Sequence, residues 1–297
     1  MATVVERPRQ ALSVTPLGKE FAAVVHGVDL CAGVGSDVIE GIEQAIADHG
    51  VLVFRDQPID DDQQQAFIQQ FGPPVVMMAE ELKGKANSHP HFFDVTTVDE
   101  DGKPLPPESA RGMYLLANKL WHTDGSQAQP PVRLSALSAR TLPSAPPPTE
   151  YADMRAAFES LSQERQRAIE GLMVQHDITH SRAKIGMKAS DFAEQTLKSR
   201  PPVIHPLVRT NARTGRRSLY LASHASHIIG WDVQKGRDLL DELTEIATQP
   251  QFVYSHEWSK HDLVMWDDSW TMHRATEYDN PEPRVMRWCG VRELEAV

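Results

Sequence analysis

The sequence predicts a mainly β fold, a jelly-roll sandwich with helices packed against its outside. Two observations lead there. Apolar runs in the second half of the chain are short and separated by Gly, Pro, Asp and Asn turn signals, as in a sandwich or barrel. The longer segments with helical spacing lie among those runs, and no repeat or linker divides the chain.

Residues 13–17 and 22–30 read as paired short strands, with Gly27 as a turn or bulge. Residues 37–49 form an amphipathic helix that ends at Gly50, a common helix stop. A short apolar strand covers 51–54. A second helix is predicted over 60–71, where an acidic start suits the helix dipole. Residues 72–115 then run long, irregular and rich in Pro, Gly and His. A loop of that length in a compact domain is usually functional, and its place just before residue 122 makes it a candidate lid. A strand is predicted over 133–141, a Pro-rich turn over 142–148, and short helices over 153–161 and 163–172. Strands follow at 173–178, 204–209, 218–222 and 251–257, with a helix over 233–247 between the last two. Strands at 262–267 and 284–291 complete the set.

The 297 residues are 40% hydrophobic, enough for one large core, so residues 1–297 are expected to form one domain. The net charge of -11, without a long basic run, argues against nucleic-acid partners and attachment to anionic membranes. Cys31 and Cys289 lack metal-type spacing, which fits reduced thiols in a cytoplasmic protein. Residues 1–10 mix charges and lack an apolar signal core. No apolar run is long enough to span a bilayer. A small-molecule substrate is the expected partner, and a homo-oligomer is left open.

The motif that says most about chemistry is His122-Thr123-Asp124, followed far downstream by His273. Two imidazoles and one carboxylate are a facial-triad ligand set, which holds Fe(II) and leaves three positions open. On a strand, residues i and i+2 point the same way. His122 and Asp124 are therefore expected on one face of a strand, with Thr123 turned away. His224 and His227 are spaced for one helix face and read as structural or lid-contacting. His256 and His261 read as surface histidines. Asp267 is expected to orient the chain near His273.

The flanks of this motif resemble a known family. They are Leu120-Trp121-His122-Thr123-Asp124, Thr149-Glu150, Ala152-Asp153-Met154-Arg155-Ala156-Ala157, Asp262-Leu263-Val264-Met265-Trp266-Asp267, Met272-His273-Arg274-Ala275 and Arg284. Near the N-terminus, Thr15-Pro16-Leu17-Gly18, Gly27-Val28-Asp29-Leu30 and Phe71-Gly72-Pro73 match as well. Together they resemble the taurine dioxygenase and 2,4-dichlorophenoxyacetate dioxygenase family of Fe(II)- and 2-oxoglutarate-dependent oxygenases, and residues 206–266 look closer to the dichlorophenoxyacetate branch. The resemblance implies a double-stranded β-helix with His122, Asp124 and His273 as iron ligands. It implies that Thr149 and Arg284 hold the distal carboxylate of 2-oxoglutarate, and a guanidinium offers a rigid fork for that task. O2 is the other cosubstrate. The products would be succinate, CO2 and a hydroxylated substrate, and hydroxylation beside an ether oxygen would cleave the ether. The Asp124 carboxylate argues against halogenation. Asp268 stands where the family is expected to carry Asn.

The pocket departs from the family. An Arg four residues after the cosubstrate Arg commonly clamps an anionic substrate, and here that position is Trp288. Arg287 is adjacent but belongs to the other strand face unless a bulge shifts the register. Val75-Val76-Met77-Met78 stands where polar contacts are expected. Met77, Met78 and Trp288 therefore predict an apolar or aromatic substrate, with Asn118 supplying one polar contact. An anionic aryloxyalkanoate is the alternative, its carboxylate met by Arg287 or by Arg111 of the lid. A zinc hydrolase on the same ligands and a non-catalytic jelly-roll binding protein are the readings from other classes. Neither needs 2-oxoglutarate.

Overall fold

A computed structural model describes residues 12–76, 90–99, 101–188, 192, 194–278 and 281–294. In chain order the strands are β1 (Ser13–Pro16), β2 (Ala23–His26), β3 (Val51–Phe54), β4 (Phe93–Thr96), β5 (Val132–Thr141), β6 (Thr149–Asp153), β7 (Met173–His176) and β8 (Val203–Pro206). They continue with β9 (Val208–Thr210), β10 (Arg217–Leu219), β11 (Ala225–Ile228), β12 (Val253–His256), β13 (Leu263–Asp267), β14 (Thr271–Ala275) and β15 (Val285–Arg292). The helices are α1 (Ser36–His49), α2 (Asp61–Ile68), α3 (Ala110–Ala117), α4 (Met154–Ser160), α5 (Gln163–Ile169), α6 (Ile178–Ala183), α7 (Glu194–Ser199) and α8 (Val233–Ala247). The fold is mainly β with flanking helices, and among the described residues no helix is long and apolar enough to cross a membrane.

Seven strands form the large sheet, in the order β1-β2-β3-β13-β5-β15-β4. One face is covered by α1, α2 and the 3-10 turn Gln69–Phe71 that follows, which pack Ile42, Ile46, Phe67 and Phe71 against Leu52, Phe54, Met265 and Val291. Both helices start and stop on local signals. Gly50 closes α1 at φ 73°, a left-handed conformation that glycine adopts without strain, and its N–H donates to Ile46 O. Asp60 caps α2, its carboxylate accepting from Gln63 N while the Gln63 side chain accepts from Asp60 N.

The other face looks onto the small sheet β12-β6-β14. Val53, Leu137, Val264, Trp266 and Met286 meet Tyr151 and Trp258 there. A third apolar cluster joins the small sheets to α4 and α8 through Phe158, Leu207, Leu221, Leu243 and Met272.

Several sequence expectations change. His122 and Asp124 are not on a strand: His122 forms an isolated antiparallel bridge with His273, and the chain turns at Asp124. The 142–148 turn is followed at once by β6, which carries Thr149 and Tyr151. His227 lies on β11, where a bulge against β7 gives the pair its helix-like spacing, and His224 lies just before it. The expected 204–209 strand is two strands, and α6 and α7 were not expected. The 72–115 segment is not structureless, because it holds β4, which pairs with β15, and α3. Met77 and Met78 lie outside the described residues.

Candidate active site

His122, Asp124 and His273 meet across the small sheet. Two backbone bonds lock the histidines together, His122 N to His273 O at 3.0 Å and His273 N to His122 O at 2.8 Å. β14 in turn pairs with β6, placing His273 beside Tyr151. Thr123 points away and donates to Leu221 O at 2.8 Å, as the alternation argument expects. The three side chains offer ligand atoms within 4.8 Å of one another, a group that could hold a metal ion.

The site prepares these donors. His122 Nδ1 lies 2.7 Å from Leu120 O. A carbonyl can only accept, so the proton sits on Nδ1 and Nε2 keeps its lone pair. Burial pushes the His122 imidazole below its usual pKa, against an opposing pull from Asp124. Burial and the neighbouring His122 push His273 well below. Both rings are therefore neutral and ready to ligate. Burial raises the Asp124 pKa while His122, Ser135 and Trp288 pull it down.

Asp124 is held by a buried polar network. Its N–H donates to Asp268 Oδ1 at 3.0 Å, and Trp266 Nε1 donates to the same oxygen at 3.1 Å. Ser135 Oγ lies 2.6 Å from Asp268 Oδ2 and 3.1 Å from Asp124 Oδ2, with one proton for the two. Burial, and then Asp124, raise the Asp268 pKa well above its usual value. A neutral Asp268 can serve the Ser135 oxygen itself and free the serine proton for Asp124. It then behaves like an Asn. The orienting role expected of Asp267 falls to Asp268. Asp267 instead accepts from Ser269 N at 2.9 Å.

A cavity of about 400 Å³ opens over this group. Val75, Phe93, Val95, Tyr114, Leu137 and Trp288 supply apolar wall, and Asn118, Thr149, Arg200 and Arg284 supply polar atoms. Arg284 is 7% exposed, its Nε has no partner, and among the described residues no carboxylate pairs with it. Burial lowers its pKa to about 10, so it stays charged at neutral pH. Thr149 Oγ1 accepts from Trp258 Nε1 at 2.9 Å, which leaves its own proton to donate. A buried cation with no carboxylate partner among the described residues is costly unless a carboxylate arrives, and the Thr149 hydroxyl lines the same cavity.

The other expected residues divide. Asn118 and Trp288 line the cavity, but Arg287 and Arg111 do not. Arg287 faces α2, where it pairs with Asp61 and Asp94 and lies over the Phe92 ring at 4.9 Å. The register shifts in β15 lie at Val285/Met286 and at Val291/Arg292, and neither brings Arg287 round. His224 is buried against Ser126 Oγ at 3.2 Å, outside the group of three. His256 is not a surface residue: it is fully buried between Tyr254 OH at 2.9 Å and Asp262 Oδ2 at 3.2 Å.

Residues 13–289 match the family model described as taurine catabolism dioxygenase TauD, TfdA family. The chain belongs to this family. An alpha-ketoglutarate-dependent 2,4-dichlorophenoxyacetate dioxygenase from Cupriavidus pinatubonensis is 41% identical over 281 residues, covering 92% of this chain and 94% of that protein. A (S)-phenoxypropionate/alpha-ketoglutarate-dioxygenase from Sphingobium herbicidovorans is 31% identical, covering 93% of each. The crystal structure of AAD-2 in complex with Mn(II) and N-oxalylglycine superposes with a TM-score of 0.87 at 38% identity, covering 96% of this chain and 98% of that one. This TauD/TfdA family member is a 2-oxoglutarate-dependent non-haem iron dioxygenase, with Fe(II) as cofactor and 2-oxoglutarate and O2 as cosubstrates. The hydrolase and binding-protein readings fall away.

Proposed function

We propose that His122, Asp124 and His273 bind the iron, that Thr149 and Arg284 hold the distal carboxylate of 2-oxoglutarate, and that an aryloxy compound is the substrate. The observation that carries this reading is one cavity bordered by three converging donors and by a buried guanidinium without a counter-ion. When bound, Fe(II) with 2-oxoglutarate and O2 supplies an oxidation that replaces C–H by C–OH and yields succinate and CO2. The chain supplies the rest. The bond to Leu120 fixes the His122 tautomer. Arg284 and the Thr149 hydroxyl orient the keto acid. Val75, Phe93, Val95, Tyr114 and Leu137 exclude water and receive an aromatic ring. Asn118 supplies a polar contact at the same wall. Hydroxylation of the carbon next to the ether oxygen gives a hemiacetal, which collapses to a phenol and a carbonyl product.

The named relatives act on aryloxy carboxylates, so a carboxylate on the substrate of this enzyme has to be met somewhere. Arg287 is tied to Asp61 and Asp94, and Trp288 carries no charge. Arg200 on the cavity wall is the residue we assign to it. Within the single domain, 72–115 acts as the lid, since Val75, Val76, Phe93, Val95 and Tyr114 all line the cavity. We read the architecture as a double-stranded β-helix, from the facing of the large sheet and β12-β6-β14. We place the enzyme in the cytoplasm, from its free Cys31 and Cys289.

The test is succinate release above the uncoupled background with 2,4-dichlorophenoxyacetate, its neutral analogue 2-(2,4-dichlorophenoxy)ethanol, and taurine. Turnover of the aryloxy compounds without taurine supports the reading. A sulfonate pressed against this apolar wall would lose its hydration without gaining an ion pair. Efficient taurine turnover, or no coupling with either aryloxy compound, refutes it.

A further inference from the structure

We propose that Trp288 is a positioning residue for the metal: its indole N–H holds Asp124 in a one-oxygen binding mode, with Ser135 as the second donor. The inference rests on the reading of His122, Asp124 and His273 as iron ligands. It assigns a task to the position where the sequence comparison leads one to expect a substrate-clamping Arg.

Oxygen accounting carries the argument. Asp124 Oδ2 accepts from Trp288 Nε1 at 2.9 Å and from Ser135 Oγ at 3.1 Å. The single Ser135 proton is shared with Asp268 Oδ2 at 2.6 Å, so the Trp288 N–H is the donor that holds Oδ2 without competition. Oδ1 has no donor among the described residues, and His122 Nε2 lies 3.7 Å from it, too far for a hydrogen bond. Oδ1 is therefore the ligand atom. Binding through both oxygens would require Oδ2 to give up these bonds. It would also occupy a position that the keto acid and O2 need, since three protein donors leave three open positions and a fourth leaves two.

The fold is built to keep the indole there. β15 sits between β5 and β4, with Trp288 opposite Leu137 and Phe93. Val75, Phe93 and Val132 pack around the ring. Two residues on, Gly290 faces the same side. A Cβ there would lie 3.0 Å from Trp288 Cζ2, 3.2 Å from its Cη2 and 2.9 Å from Leu134 O. Only glycine leaves room for the six-membered ring in this pose. An Arg at 288 would place a cation on the cavity wall instead of this N–H. A neutral donor orients the carboxylate without adding that charge.

The test uses the apo protein titrated with Mn(II), read by calorimetry and by the electron paramagnetic resonance spectrum of the bound ion. Asp124→Ala is the control, and wild-type Mn(II) affinity in that variant would sink the ligand reading itself. With the control behaving, Trp288→Phe, which keeps an aromatic ring but loses the N–H, is expected to weaken Mn(II) at least tenfold and to alter the spectrum. Should Trp288→Phe fold poorly, β-(3-benzothienyl)alanine introduced at position 288 keeps the bicyclic shape and replaces only the N–H. Ser135→Ala removes the second donor. Because both donors restrain one oxygen, the double variant should lose more than the product of the two single losses. Unchanged Mn(II) affinity and spectrum without the indole N–H, or a strictly multiplicative double variant, would overturn the proposal. Trp288 would then be cavity wall alone, and only the KM for the organic substrate would move.

Discussion

Replacing Arg284 by Met should stabilise the apo enzyme and cripple its hold on 2-oxoglutarate. The guanidinium is 7% exposed, its Nε is unpartnered, and burial depresses its pKa to about 10. Set against the ordinary guanidinium value, that depression corresponds to a net cost on the order of 3 kcal/mol for keeping the charge buried. Met keeps the length and apolar stem without the charge. The apo Tm should therefore rise by about 5 °C. The keto acid reverses the balance, because its distal carboxylate supplies the missing partner. Losing that charge-assisted pair should cost about 1.5–3 kcal/mol, or roughly 10- to 150-fold in apparent 2-oxoglutarate affinity.

The assay is differential scanning calorimetry of wild type and Arg284→Met, with and without Mn(II) plus 2-oxoglutarate. At 2-oxoglutarate one hundred times the wild-type Kd, wild type gains about 2.7 kcal/mol while the variant gains about 0.3–1.4, so roughly half or more of the apo difference disappears. An apo Tm below wild type, or an unchanged response to 2-oxoglutarate, would show that Arg284 is stabilised by something other than a ligand carboxylate.

Asp268→Asn should keep near-wild-type Mn(II) affinity and turnover, because a neutral Asp268 already acts as an amide would; Asp268→Ala should lose tenfold or more in Mn(II) affinity, and equal losses in both would mean that Asp268 works ionised. Arg287→Ala should destabilise by on the order of 3 kcal/mol, read as a lower urea midpoint, because Asp61 and Asp94 lose their shared partner. An altered KM for aryloxy substrates without that destabilisation would put Arg287 back in the pocket. His176 is fully buried and burial lowers its pKa to about 3. Above pH 6.5 neither folded nor unfolded chains carry this proton. As the pH falls from 6.5 towards 3 the unfolded chain binds it and the folded one does not, so stability drops by about 1.4 kcal/mol per pH unit from this group. His176→Phe should flatten the loss between pH 7.5 and 5.5 by on the order of 1 kcal/mol in urea denaturation, and parallel slopes would refute the assignment.

The cluster of His122, Asp124 and His273 is legible in the sequence because it depends on residue type and direction, and both survive a change of local structure. His122 and Asp124 share a side as if on a strand, yet only His122 makes a bridge and Asp124 begins a turn. What escapes is what tertiary pairing decides. β6 is hidden behind Pro146, Pro147 and Pro148, and its Glu150 and Asp153 break the apolar signal. It becomes a strand because β12 and β14 flank it. The helix-like spacing of His224 and His227 comes from a bulge, which no periodicity rule can see. The Asp267/Asp268 exchange is a parity effect. β13 ends at Asp267, and the turn to Trp270 brings the next carboxylate inward against Asp124 N.

β15 explains why the departures from the family pattern hang together. Its alternation sends Arg287, Cys289 and Val291 towards α2 and the outer core, and Met286, Trp288 and Gly290 towards the cavity. Arg284 enters at its start, pinned by Arg284 N to Thr97 Oγ1 at 3.0 Å and by Thr97 N to Arg284 O at 3.0 Å. Residues 284 and 288 are therefore about 13 Å apart along one hydrogen-bonded strand, and that strand is buried between β5 and β4. With Arg284 as the proposed keto-acid anchor and Trp288 as the proposed clamp on Asp124, the two cannot drift independently. A Trp at 288 demands Gly at 290, and it removes a cation from the pocket. Under the proposed reading, anion recognition, where a substrate needs it, moves to Arg200 on the cavity wall. The ion pair of Arg287 with α2 belongs to the same arrangement, because it ties the outer face of the strand that holds both anchors.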